Sequence, residues 1–255
     1  LAEDNPVNQK LAVLMLESAG KLRLNDPIQA YLPELPDYGA PITVADLLYH
    51  TSGLSDWVTI RPLAGKDYYG GFGIEDLVAL VSRQRTLEFA PGTKWSYTNT
   101  NYALLAEIVA RVTGRPFGEW MQENVFAPLG MRATSVPANG RSIIPNRANA
   151  YLPAPGGRLE RSLKEGFEIS GPAHVFTTLE DAAKWLGNFH QGQVGGPDML
   201  ERLQRRPRLG NGEASAYGAG LGVGQYRGVR TVSHSGQTGG FKSQLVYCPE
   251  LGVGV

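Results

Sequence analysis

Trp95-Ser96-Tyr97-Thr98-Asn99-Thr100-Asn101-Tyr102 is the stretch on which the reading of this chain turns. A tyrosine and an asparagine stand two positions apart on a polar turn, and a strongly amphipathic segment follows at once. Tyr102, Leu105, Ala106, Val109 and Val112 recur at helical spacing and Gly114 stops the run, which predicts a helix. Thr98, Asn99 or Thr100 can cap it, because a short side-chain oxygen accepts from a first-turn amide that has no partner inside the helix. A phenol held just ahead of a helix start sits in a positive local field, which suits proton acceptance and makes Tyr97 a candidate general base. Taken alone, the stretch is more simply a capped helix with a packed aromatic. The rest of the chain has to decide.

Its 255 residues are enough for one large domain, or one domain with an inserted lobe. Apolar residues make up 42%, enough for a substantial core. Lys plus Arg and Asp plus Glu are both 24, so the formal charge is zero. There is no basic stripe and no RNA-reading aromatic motif, which argues against nucleic acid as a partner. No apolar run approaches the roughly 18 residues of a membrane span. The 32 glycines and 17 prolines predict many connections, as in a cleft built from loops. Cys248 is the single cysteine and excludes an internal disulfide. His50, His174, His190 and His234 show no metal-ligand spacing, so neither metal nor cofactor is expected. The chain begins with Leu, shows no signal-peptide pattern, and ends at Gly252-Val253-Gly254-Val255, which reads as an opening strand.

In chain order, Asp4-Asn5-Pro6 is a helix start, and Leu11 to Leu16 is apolar nearly all round, so a buried central helix is expected over 6–19. Thr43-x-x-Asp46 resembles a capping box ahead of a short helix from Val44 to His50. Ser52, at its exit, reads as satisfying backbone groups rather than as a nucleophile. His50 reads as structural at a helix C-terminus, where partial positive charge is favoured. Residues 58–73 are expected to form a glycine- and aromatic-rich loop. Ile74 to Gln84 is a predicted helix with Leu77, Leu80 and Val81 inward, and Phe117 to Phe126 is another. Residues 135–166 read as a long polar crossing or small lobe. Thr178-x-x-Asp181 opens a helix with Leu179, Ala182, Leu186 and Phe189 on one face, and His174 and His190 read as structural. From Tyr217 the pattern changes to strands near Leu221–Tyr226, Val229–Ser233, Gln244–Tyr247 and Gly252–Val255, an antiparallel meander with a glycine-rich turn. The His234-Ser235-Gly236 step within it leaves the backbone bare enough for a ligand to lie alongside as an added strand.

These segments, in this order, resemble the serine β-lactamase and penicillin-binding-protein superfamily, in particular the class C β-lactamase-like serine hydrolases with their DD-peptidases and related esterases. The resemblance is carried by Gly20-Lys21-Leu22, Tyr31-Leu32-Pro33, Ile42 to Leu54, Pro91-Gly92, Tyr97-Thr98-Asn99, Pro128-Leu129-Gly130-Met131, Thr178 to Trp185, Tyr217-Gly218 and His234-Ser235-Gly236. It implies an α/β (α+β) fold of the β-lactamase/transpeptidase type: an antiparallel sheet flanked by helices, with a mostly helical lobe. One domain over 1–255 is expected, with the helical lobe at about 22–170 and the sheet-forming part at about 171–255 joined by helix 6–19. Tyr97 then helps to move protons, Asn99 holds the substrate amide or the lysine, and His234, Ser235 and Gly236 line the cleft edge. The backbone amide of Gln237 becomes an oxyanion-hole donor. The substrate implied is a small molecule or peptide, and the localisation implied is periplasmic, cell-envelope or secreted.

The family's first motif, Ser-x-x-Lys, is where this sequence departs. Counting back from Gly20 puts Glu3 at the serine and Pro6 at the lysine. An acyl-enzyme needs a nucleophile with a base beside it; Glu3 lacks the paired amine and Pro6 has no proton to trade. Lys10 lies one turn beyond Pro6, about 6 Å deeper, and is not read as a substitute. The family also carries strands and helices before and after the segments present, so the sheet is expected to be incomplete at both ends and to expose strand edges. Either a homo-oligomer or partner chain covers them, or the chain is a fragment. Three readings stay open: an impaired hydrolase fold, a fragment of an active hydrolase, and a peptide or cell-wall-fragment binding module without chemistry.

Overall fold

The computed structural model describes residues 2–3, 7–66, 71–139, 142–162 and 169–255, with side chains from Lys10 onward. The helix start expected at Asp4-Asn5-Pro6 lies outside the described residues. The chain opens on β1 (Ala2–Glu3) and enters α1 (Val7–Ser18). Leu11, Ala12, Val13, Leu14 and Leu16 are all buried, so α1 has no solvent face over this run. A helix apolar all round can only be accommodated in the middle of a protein.

Thr43 caps α2 (Val44–Leu48) through the box expected from the sequence. Its hydroxyl accepts from the Asp46 amide at 3.2 Å, and the Asp46 carboxylate accepts from the Thr43 amide at 2.9 Å. The stretch expected as a loop from residue 58 instead begins as α3 (Trp57–Leu63), capped by Asp56 and anchored by the fully buried Trp57. A cap and one large apolar anchor outweigh Pro62 and the glycines that follow. α4 (Ile74–Val81) buries Leu77 and Val81, with Leu80 only partly covered.

The predicted helix after Tyr97 is α5 (Asn99–Thr113), and the Thr98 hydroxyl accepts from the Thr100 amide at 3.2 Å. It buries Tyr102, Leu105, Ala106 and Val109 as the periodicity requires, and Ala103, Leu104 and Ile108 besides. α6 (Phe117–Met121) runs on through a wider π turn at Gln122–Phe126. The polar crossing carries an exposed hairpin, β2 (Tyr151–Pro153) with β3 (Leu159–Arg161). β4 (Val175–Phe176) then pairs antiparallel with β1.

Thr178 caps α7 (Leu179–Gln191) by accepting from the Asp181 amide at 3.2 Å. The Asp181 carboxylate is turned elsewhere: it accepts from the Ala133 amide at 2.8 Å and the Thr134 hydroxyl at 2.9 Å. It therefore ties α7 to the turn after α6. Leu179, expected on the buried face, is exposed, and Trp185 packs inward with Ala182. After α8 (Gly196–Gln204) come β5 (Gly222–Tyr226), β6 (Val229–Thr238), β7 (Phe241–Cys248) and β8 (Val253–Gly254), an antiparallel meander in that order.

α1 packs on α5, α6 and α8, α7 lies on β7 and β8, and β1 sits beside β6 and β7. Two features of this arrangement shape a cleft. The first is that β6 pairs with β7 from Val232 to Thr238 but with β5 only from Val229 to Ser233. Beyond Ser233, β6 runs on past the end of β5, and residues 233–237 line a cleft. The second is Gly171, at φ +126, where a Cβ would lie 2.6 Å from the Tyr102 carbonyl oxygen. Only glycine fits that approach, and it lets Pro172 and Ala173 lie along the opposite wall.

Candidate active site

A cleft of about 520 Å³ opens between the start of α5, the 172–173 segment and the uncovered side of β6. Tyr97, Asn99, His234, Ser235, Gly236 and Gln237 all line it. Six residues picked from two distant stretches are thus brought to one place. Trp57, Trp95, Tyr217 and Gln244 line it as well. Tyr217 was visible in the sequence only as part of a matched dipeptide. Trp57 had no local signal, because it arrives on the helix that was expected to be a loop.

Tyr97 is half-buried at the cleft wall, with its ring 4.4 Å from the His50 ring and 6.3 Å from the His234 ring, centroid to centroid. Asn99, the first residue of α5, is fixed by Asp56. Its backbone amide donates to Asp56 Oδ1 at 3.1 Å, and its side-chain nitrogen donates to Oδ1 and Oδ2 at 3.4 and 3.2 Å. An ionised carboxylate only accepts, so the Asn99 nitrogen is committed and its carbonyl oxygen is the end left to meet a ligand. Burial pushes the Asp56 carboxyl up, and these donated bonds counter part of that rise.

His234 sits on β6 with Nε2 3.0 Å from the Tyr217 hydroxyl. Burial first, and then the neighbouring Tyr97 phenol, push Tyr217 well above the usual phenol value. Tyr217 is therefore a neutral hydroxyl at ordinary pH, able to donate to His234 or accept from it.

His50 lies behind this wall, and the structure corrects the expectation of a favoured positive charge there. It is fully buried at φ +57. Its Nδ1 accepts from the Thr98 amide at 3.3 Å, and its carbonyl accepts from the Ser96 amide at 3.0 Å. An amide can only donate, so Nδ1 carries no proton. Burial first, then Lys10 and His234, hold His50 well below the ordinary imidazole value. It is a neutral ring that pins residues 96–98 in place. Ser52 is structural as expected: its hydroxyl donates to Asn101 Oδ1 at 2.7 Å in a fully buried setting.

The backbone of Glu3 belongs to β1, paired opposite Val175, rather than to the start of a helix. The Glu3 side chain and all of Pro6 lie outside the described residues. Among the described residues lining the cleft there are hydroxyls at Ser233, Ser235, Tyr97 and Tyr217, and no lysine.

The Beta-lactamase family model matches residues 10–255, and the chain belongs to that family. The match begins at Lys10, past positions 3 and 6. Two D-aminopeptidases are similar over most of the chain. That of Brucella anthropi is 29% identical over 95% of this chain and 46% of its own length. That of Gluconobacter oxydans is 30% identical over 88% of this chain and 42% of its own length. The chain thus spans less than half of these relatives. Among solved structures, the octameric penicillin-binding protein homologue from Pyrococcus abyssi has a TM-score of 0.83 at 24% identity, covering 99% of this chain and 60% of that one. The D-amino acid amidase from Ochrobactrum anthropi SV3 has a TM-score of 0.80 at 25% identity, covering 99% and 73%. The penicillin-binding-protein-like fold with its antiparallel sheet and flanking helices is the one the sequence implied. No helix among the described residues is long and apolar enough to cross a membrane.

Proposed function

We propose that the cleft receives D-amino acid amides, or esters and short peptides that begin with a D-residue, and that the chain as written does not form an acyl-enzyme by the family's serine–lysine route. The observation that carries this is the convergence of Tyr97, Asn99 and His234 on one cleft in a sequence with Glu3 and Pro6 at the positions of the nucleophile and its lysine. The D-configuration comes from the D-aminopeptidase relatives. In this reading the substrate lies along β6 beyond Ser233 as an added strand. The Asn99 oxygen accepts its N–H, and its carbonyl oxygen points to the Gln237 amide. Such a donor stabilises a developing oxyanion by about 3–4 kcal/mol, which is of use only when a nucleophile is present.

The test joins two measurements. Calorimetry with D-phenylalaninamide should give heat that His234→Ala weakens, and intact mass after incubation with a penicillin should show no adduct. A penicilloyl adduct on any serine, or no heat in the folded protein, overturns the reading. The second reading is a fragment or altered form of an active hydrolase of β-lactams, D-alanyl peptides or esters. It is favoured by the chain covering less than half of its D-aminopeptidase relatives. Glu3→Ser with Pro6→Lys then restores turnover. Heat without turnover in that restored variant favours the binding module instead.

A further inference from the structure

Lys10, one turn beyond the family's lysine position, is fully buried and its amine has no hydrogen-bond partner. Side chains on a helix lean toward its N-terminus, so a lysine at 10 carries its nitrogen back by about one turn, toward the cleft end of α1. There Nζ lies 4.2 Å from the ring centroid of Tyr102 and 5.5 Å from that of Tyr217. His50 rests against the same two rings, at 4.6 and 5.2 Å. Its Nε2 is also buried without a partner. An amine and an imidazole, each with an unsatisfied nitrogen, therefore share one pair of aromatic faces directly behind the Tyr217–His234 contact.

Among the described residues, Lys10 faces Tyr102 of α5 and Tyr217 of the segment before β5, with His50 of the turn after α2 close by. Tyr49 and Tyr97 stand near Tyr102, and His234 of β6 near His50. On α8, Arg202 is paired with Glu17 of α1 and Arg205 with Glu201. Among the described residues no carboxylate forms an ion pair with Lys10. Two ring faces favour an ammonium, but taking an ammonium out of water costs more than they return. Burial accordingly holds the Lys10 amine well below its usual value.

We propose that Lys10 is a positioning residue of the cleft, whose amine and the His50 imidazole together hold at most one proton, so that the Tyr217–His234 pair stays uncharged and able to take up a proton. The amine acts through the rings and does not touch substrate. The proposal rests on the cleft reading above, but its test does not require activity.

That test is an NMR titration of the histidine ring nitrogens in wild type and in Lys10→Met, which keeps the length and apolar bulk of the side chain. Removing a competing cation this close should raise the His50 midpoint by roughly one to three pH units. An unmoved midpoint in the folded variant overturns the proposal. Should Lys10→Met not fold, the wild type decides alone: coupled groups report the same two macroscopic steps. Lys10 Nζ and His50 should then show shared inflections, and two independent single-step curves overturn the proposal. Failure to bind D-phenylalaninamide, with the histidine shifts as expected, counts against the substrate reading and leaves this one standing.

Discussion

Asn99 is held to Asp56 through both its backbone and its side-chain nitrogen, at 3.1 Å and 3.2 Å, across the gap between α5 and α3. The same carboxylate caps α3 by accepting from the Val58 amide at 3.4 Å. One side chain thus sets both the start of a wall helix and the direction of a cleft amide. Asp56→Ala removes the cap, worth about 1 kcal/mol, and leaves the Asn99 nitrogen unsatisfied, worth roughly 1–3 kcal/mol more. Urea denaturation should show a loss in that range, and calorimetry should show D-phenylalaninamide binding at least tenfold weaker. Unchanged affinity in a destabilised but folded variant would remove Asn99 from the substrate-binding set.

Gly220 and Lys10 compete for the same space. A Cβ at Gly220 would lie 1.3 Å from Lys10 Nζ and 1.8 Å from Cε, and Gly220 has φ +80. Gly220→Ala therefore carries two costs: about 1–2 kcal/mol for a left-handed alanine, and the displacement of a packed lysine stem. Lys10→Ala empties the stem's volume, so the second cost should vanish in the double variant while the first persists. Thermal or urea unfolding of the four proteins forms a double-mutant cycle. A coupling energy of zero would show that the stem does not fill the space behind Tyr217.

His174 predicts a pH dependence. It is buried, its Nδ1 has no hydrogen-bond partner, and it takes φ +80, a conformation that glycine adopts without strain. Burial first, and then Arg147, bring its pKa from 6.5 to about 4. The unfolded chain takes up a proton below 6.5 and the folded one resists until about 4, so this stability is present above 6.5 and lost as pH falls to about 4. The loss is worth roughly 3 kcal/mol. His50 acts in the same direction and Asp56, whose pKa is raised, in the opposite one. His174→Gly should reduce the slope of the urea midpoint between pH 6.5 and 4. Parallel slopes for the two proteins would rule His174 out as the source.

Where the chemistry is local, the sequence was legible. The Thr98 cap, the face of α5 and the Thr43–Asp46 box are decided by residues within four positions of one another, and all formed as expected. Tyr97 and His234 could be paired only through a resemblance, since a contact across so many residues leaves no periodic trace. The misses have one physical origin. α3, Trp57 and Lys10 are decided by what covers them from distant segments, and the glycines and Pro62 around them spoke for a loop. His50 was misjudged because a helix C-terminus favours charge only at a solvated end, whereas burial dominates at this one.

Restoring the family's first motif should depend on Lys10. Glu3→Ser supplies a hydroxyl and Pro6→Lys an amine three positions on, the pairing that acyl transfer requires. On a helix extended back to position 6, as the family's first motif requires, a lysine there would stand one turn from Lys10, about 6 Å by helical rise. Two ammonium groups at that distance repel by about 3 kcal/mol at an effective dielectric of 20. One of them must then stay neutral or move, and the buried one is already the weaker base. Lys10→Ala removes the competitor and leaves the new amine to hold the proton. The triple variant should therefore turn over a chromogenic D-amino acid ester faster than the double variant, with the gain concentrated in kcat and largest below neutral pH, where both amines would otherwise charge. Equal rates would show that Lys10 does not sense the position of the family lysine. Silence from both variants, each folded, would show that the missing pair is not all that separates this cleft from an active hydrolase.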